Sequence, residues 1–227
     1  MIVTAFVLVA IPFAFLLLEV VLKGPLTVHD QQVADELNRY NVREDDGVEL
    51  ARVVTQLGST AVLVAVVVVA VVWLAVFHRR RRQALFLVVT AALGLALNNV
   101  LKVVVGRARP HFAHGGGSAF GSSFPSGHAM NSTVVYGCLL VIAWPFLRSV
   151  RARIGAFVVT AGVVLAIAAS RVVLTVHYVS DVVAGIVLGT AFVLASAAAF
   201  TAWRQEGGRL PEAIASAPAV GEDAPAR

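Results

Sequence analysis

Six apolar runs of about 18 residues or more constrain this chain most tightly: residues 2–22, 58–77, 84–105, 129–147, 154–176 and 182–203. A run of that length matches the hydrocarbon thickness of a bilayer. Lipid also tolerates a backbone only when its polar groups are bonded internally, so each run reads as a transmembrane helix. The expected fold is all-α, a polytopic membrane domain over 1–203 with six transmembrane helices. Short interfacial helices are expected in its first outer loop. Residues 204–227, rich in Ala, Pro, Gly and Glu, read as a disordered cytoplasmic tail. Only 14% of the chain is charged, against about a quarter in a soluble domain. The first run has no basic segment before it, is too long, and has no small-residue cleavage site after it, so it reads as a span rather than a signal peptide. The single cysteine, Cys138, lies inside an apolar run; this excludes a disulfide framework and suggests a small core residue.

The net charge of +5 does not point to nucleic acid, because the arginines cluster at the ends of apolar spans. HRRRR at 78–82 and RSVRAR at 148–153 are short loops on one side of the membrane and hold seven arginines between them. The positive-inside rule makes that side cytoplasmic, and six spans return the chain to it, so both termini lie inside. The loops at 23–57 and 106–128, and the turn around His177, then face outward from the plasma or inner membrane.

Every unusual polar segment falls on that outer face. In NNVLKVVVGRARPHF, at 98–112, Lys102 lies about one turn inside a span; Arg107 and Arg109 follow, and Pro110 is expected to stop the helix. Taken alone, Lys102 reads as a side chain snorkelling to the interface. Lys102 and Arg109 are seven residues apart, however. They share a face if the helix persists, and two cations on one face need an anion. In HGGGSAFGSSFPSGHAMNS, at 114–132, Pro125, Ser126, Gly127 and His128 stand at the start of an apolar helix. Ser126 is placed to cap that helix, Gly127 lets a ligand approach the backbone, and a helix N-terminus favours phosphate. A simple cap with an interfacial histidine fits that stretch as well. In SRVVLTVHYVSD, at 170–181, Arg171 is a further cation, and Asp181 follows His177 by four residues, within reach on a helix or tight turn. A carboxylate bonded to one imidazole nitrogen fixes the tautomer and leaves the other nitrogen free to attack. An ion pair closing a loop is the simpler reading of that segment by itself. Together, three basic residues, a helix N-terminus and two histidines on one face make a phosphate site with a nucleophile and an acid.

The order Lys-x6-Arg-Pro, Pro-Ser-Gly-His, Ser-Arg-x5-His-x3-Asp resembles the type 2 phosphatidic acid phosphatase superfamily. Lys102, Arg109 and Pro110 match the first block, Pro125, Ser126, Gly127 and His128 the second, and Ser170, Arg171, His177 and Asp181 the third. The six-helix plan extends the resemblance beyond 102–181 to all but the tail. The resemblance implies that His177 attacks phosphorus to form a phosphohistidine and that Asp181 orients it. It implies that His128 protonates the leaving oxygen and then serves as base toward water. Lys102, Arg109, Arg171 and the backbone around Ser126 and Gly127 would hold the non-bridging oxygens. No metal and no cofactor are implied; the residues agree, since no carboxylate cluster beside these motifs offers ligands for Mg²⁺.

The sequence thus leads to a membrane hydrolase acting on a lipid monophosphate or diphosphate: phosphatidate, phosphatidylglycerol phosphate, or a polyprenyl phosphate or diphosphate. Its expected partners are that lipid and the surrounding bilayer, with no nucleic acid; no oligomeric state is legible. Two alternatives are phosphotransfer from His177 to an alcohol, and a non-catalytic lipid-phosphate binder or transporter. The oriented histidine argues against the second. In the first outer loop, Thr27 or Asp30 is expected to cap a short helix with Val33 and Leu37 on one face. Val48, Leu50, Val53, Val54 and Leu57 form a second apolar set, either lying in the interface or covering the site. His29, His111 and His114 read as surface residues, and Asn98 and Asn99 as interhelical hydrogen-bonding groups.

Overall fold

The computed structural model of the chain describes residues 2–42, 46–112 and 121–206. The expectations for His114 and for 207–227 lie outside the described residues. Every regular element among them is helical: α1 (Ile2–Val21), α2 (Pro25–Asn41), α3 (Asp46–Gln56), α4 (Thr60–Val72), α5 (Arg81–Val105), α6 (Gly127–Ala143), α7 (Val150–Val173) and α8 (Val179–Glu206). A π turn, Trp73–Phe77, continues α4, and a 3₁₀ turn, Trp144–Phe146, ends α6. Five stretches are long and apolar enough to cross a membrane: Asp46–Phe77, Arg81–Val105, Gly127–Phe146, Val150–Val173 and Val179–Trp203. The first expected span corresponds to α1, whose part from Val9 meets α2 at 79°. Arginines at the starts of α5 and α7 are good helix formers, so both helices begin before their apolar runs. For the same reason α8 runs on through Arg204, Gln205 and Glu206, three residues into the stretch expected to be tail.

The corner between α1 and α2 corrects an expected cap. Neither Thr27 nor Asp30 caps α2. Gly24 is its N-cap and Pro25 its first residue, a position where a missing N–H costs nothing. Lys23 turns the chain with φ +53°, and the Glu19 carboxylate accepts the Leu26 N–H at 3.1 Å. Thr27 instead donates its hydroxyl to the Gly24 carbonyl, and Asp30 is buried. Val48 and Ala51 of α3 pack with Leu174 and Val176 just after α7, while Leu50 and Val53 of α3, and Leu57 beyond it, face outward.

Helix α6 is the centre of the bundle and packs on α5, α7 and α8. Cys138 is buried there with Leu87 and Val134. Asn98 of α5 is also buried and donates to Met130 Sδ of α6 at 3.4 Å, an interhelical bond as expected. Asn99 points outward instead. The contact of α6 with α8 depends on Gly185 and Gly189. A Cβ at Gly185 would lie 2.8 Å from the Ser126 carbonyl oxygen, and one at Gly189 would lie 2.9 Å from that of Met130. This small-xxx-small spacing lets the two backbones approach, and it was readable in the sequence as GIVLG. The arginine loops meet at one end of the bundle. Arg80 lies over the Phe146 ring at 4.2 Å, and Arg82 over Trp203 at 5.3 Å.

Candidate active site

At the opposite end of α5, Gly106 in the left-handed conformation (φ +60°) gives its N–H to the Lys102 carbonyl and ends the helix. The stop is therefore Gly106, not Pro110, because glycine enters that conformation without a Cβ clash. Arg109 lies beyond the helix and shares no face with Lys102. The two cations still converge. Lys102 Nζ and an Arg109 terminal nitrogen each donate to the Ser122 carbonyl at 3.2 Å. Arg109 also donates to the carbonyls of Gly121 and Val176, at 3.0 and 2.7 Å, and its guanidinium lies 3.0 Å from His177 Nε2.

His177 sits in the turn between α7 and α8 and is 2% exposed. Burial holds its imidazole down to about 4; Asp181 pulls it upward, and Arg109 and Arg171 push it further down. The ring is therefore neutral at pH 7. With Arg109 donating to Nε2, the proton belongs on Nδ1. That nitrogen lies 3.5 Å from Asp181 Oδ2, longer than an ordinary hydrogen bond, and it has no hydrogen-bond partner. The fully buried Asp181 is bound more tightly elsewhere. Arg107 donates to its Oδ1 at 2.6 Å, and the Tyr178 N–H to its Oδ2 at 2.9 Å. Nothing in the spacing of Arg107 marks it apart from its neighbours in the sequence.

Arg171 is almost completely buried and donates to Thr55 Oγ1 of α3 at 2.9 Å; no local pattern announces that partner. Ser126 occupies the N-cap position of α6, but its side chain makes no cap. Its N–H goes to the Asp181 carbonyl at 2.9 Å, drawn there by the close crossing of α8. The Ser126 hydroxyl is buried without a partner. The N–H groups of Gly127, His128 and Ala129 have no intrahelical carbonyl, as in the first turn of any helix. His128 lies within the electrostatic reach of Arg171, His177, Lys102 and Arg109, and Lys102 within that of Arg109, Asp181 and Arg171. The residues expected to form one site therefore do come together. His29 and His111 stay at the surface. Among the described residues, no three His, Cys, Asp or Glu side chains converge to hold a metal.

The profile of the PAP2 superfamily matches residues 83–205, more than half of the chain, and takes in Lys102, Arg107, Arg109, Ser126, Gly127, His128, Arg171, His177 and Asp181 but not Thr55. The chain belongs to the PAP2 superfamily. This PAP2 chain is 34% identical over 142 residues to phosphatidylglycerophosphatase B of Bacillus subtilis, a match over 60% of the chain and 66% of that protein. It is 36% identical over 139 residues to lipid A 1-phosphatase of Rhizobium johnstonii, over 54% of the chain and 52% of that protein. It thus spans between about half and two thirds of the length of these curated relatives. Its PAP2 fold is shared with the crystal structure of the first transmembrane PAP2 type phosphatidylglycerolphosphate phosphatase from Bacillus subtilis. The TM-score is 0.73 and the identity 23%, with 92% of this chain and 98% of that one covered. Helices α1 to α4 precede the region matched by the family profile.

Proposed function

We propose that this PAP2 protein is an integral-membrane lipid phosphatase that works through a phosphohistidine on His177. The observation that carries the reading is a buried, neutral His177 whose Nε2 meets Arg109 and whose Nδ1 faces a carboxylate. Nε2 attacks phosphorus, and the bond from phosphorus to the lipid oxygen breaks. The leaving oxygen takes a proton from His128. Water then attacks the phosphohistidine, His128 takes its proton, and inorganic phosphate departs. Lys102, Arg109, Arg171, the Ser126 hydroxyl and the Gly127 N–H hold the non-bridging oxygens, on which transition-state charge spreads. These cations do the work that a metal does elsewhere.

A lipid substrate is supported by an apolar cleft of about 260 Å³ between α4, α5 and α6, lined by Leu63, Val64, Val67, Val88 and Leu95 and reaching Asn131. Asn131 lies three residues after His128 on α6, on the same helical face. The cleft therefore runs along α6 toward the turn that carries His128. In mixed micelles, kcat/KM for a long-chain phosphatidate, phosphatidylglycerol phosphate or polyprenyl phosphate is expected to exceed that for glycerol phosphate by at least about tenfold. The rate should persist in excess chelator. Equal efficiency on both substrates would remove the lipid from the reading. Activity lost to chelator and restored by Mg²⁺ would overturn its metal independence.

The arginine end faces the cytoplasm in this reading, and the site faces the outer leaflet. In intact cells an impermeant thiol reagent should label the His111→Cys protein and spare Arg80→Cys; both positions are exposed, whereas the native Cys138 is buried. The opposite pattern would put the site inside.

A further inference from the structure

Asp30 and Arg107 take no part in the steps above, yet the bonds around Asp181 run through them. Arg107 places one terminal nitrogen 2.6 Å from Asp181 Oδ1 and 2.7 Å from Ser180 Oγ, and the other 2.8 Å from Asp30 Oδ2. Its plane lies over the Tyr178 ring at 4.2 Å. The side chains of Arg107, Asp30 and Asp181 are 11%, 2% and 0% exposed. Asp30 also accepts the Ser180 N–H at 3.1 Å and a short bond from the Ser180 hydroxyl. A carboxylate from α2 thus caps the helix that carries Asp181. Burying one carboxylate from a polar helix is costly unless it is fully paired.

We propose that Asp30 and Arg107 are positioning residues for phosphoryl transfer, holding Asp181 with Oδ2 toward His177 and setting the net charge behind the imidazole. The inference rests on His177 as nucleophile. When Nε2 bonds to phosphorus the ring gains positive charge, and a negative neighbour at Nδ1 stabilises it. Arg107 alone would neutralise Asp181. Two carboxylates sharing one guanidinium retain one net negative charge. On its other sides His177 faces Arg109 of the segment after α5, His128 of α6 and Arg171 of α7, and Lys102 of α5 lies near Arg109, Arg171 and His128. The negative charge beside it therefore comes from this group.

The test uses the full chain in detergent. Asp30→Asn is nearly isosteric and keeps an acceptor for the Ser180 N–H. It is expected to lower kcat about tenfold to a hundredfold, the scale known for residues that orient metal-bound histidines through a hydrogen-bonded partner, with KM changed less than about threefold and thermal unfolding near that of the unsubstituted protein. Its His177 titration, followed by imidazole NMR, should move to lower pH by about half a unit or more. Arg107→Gln should move it to higher pH. Where that variant fails to fold, Arg107→Lys keeps the charge without the fork and should lower kcat while leaving the titration in place. An unmoved His177 titration in folded Asp30→Asn protein overturns the proposal, as does a loss of kcat that only tracks the folded fraction. If the unsubstituted protein releases no phosphate from lipid phosphates, the phosphatase reading falls, and the titrations still decide whether Asp30 and Arg107 set the charge at His177.

Discussion

His177→Ala is expected to release phosphate from a long-chain lipid phosphate at less than about 10⁻⁴ of the unsubstituted rate. The substitution removes the attacking nitrogen, and in the proposed mechanism His128 transfers protons and the Ser126 hydroxyl binds an oxygen, so neither takes its place. Short-time quenching with labelled substrate separates this from misfolding. The unsubstituted protein should carry label that is stable to alkali and labile to acid, as a phosphoramidate bond is, and the variant should carry none. Label on folded His177→Ala protein, or turnover within tenfold, would end the phosphohistidine mechanism. The pH behaviour follows from the same burial. With its imidazole lowered to about 4, His177 stays unprotonated through pH 5, and the acid limb of kcat/KM that it controls lies near 4 rather than 6.5. The sign for stability is that of a depressed group. The contribution of the neutral ring is complete above its unfolded value of about 6.5 and is lost as pH falls from there toward 4. His177→Ala should therefore lose less thermal stability than the unsubstituted protein over that interval.

Asp181→Asn should lower kcat by about 10³-fold or more, the scale seen when a histidine-orienting carboxylate becomes an amide, with KM nearly unchanged. The amide presents either a donor or an acceptor to Nδ1, and it carries no charge to stabilise the phosphorylated ring. Arg107 keeps Asp30 as its carboxylate partner, which helps the variant to fold. Because Asp181 is what raises His177, removing its charge sends the acid limb lower, so raising the pH cannot restore the rate. A variant within tenfold of the normal kcat, or one rescued at high pH, would show that Asp181 acts only as a structural ion pair.

The parts of this protein that its sequence determines are those governed by interactions within one segment. Hydrocarbon forces each long apolar run to bond its own backbone, so the helices from Thr60 to Trp203 were legible, and so was the pairing of His177 with Asp181 four residues on. Charges that are costly in lipid had to converge on one face, which marked Lys102, Arg109 and Arg171 before any distance was known. The end of α5 is less legible: Gly106 and Pro110 both break helices, and Gly106 turns the chain first. Only the tertiary structure decided the rest. Arg107 meets Asp30 across 77 residues and Arg171 meets Thr55 across 116, and no periodicity links such positions. These contacts depend on how closely the helices cross. The backbone at Gly185 and Gly189 brings α8 against α6, so that the Asp181 carbonyl takes the Ser126 N–H and leaves the Ser126 hydroxyl buried without a partner. Side-chain volume at a crossing sets that distance, and its consequences fall on residues far away in the chain.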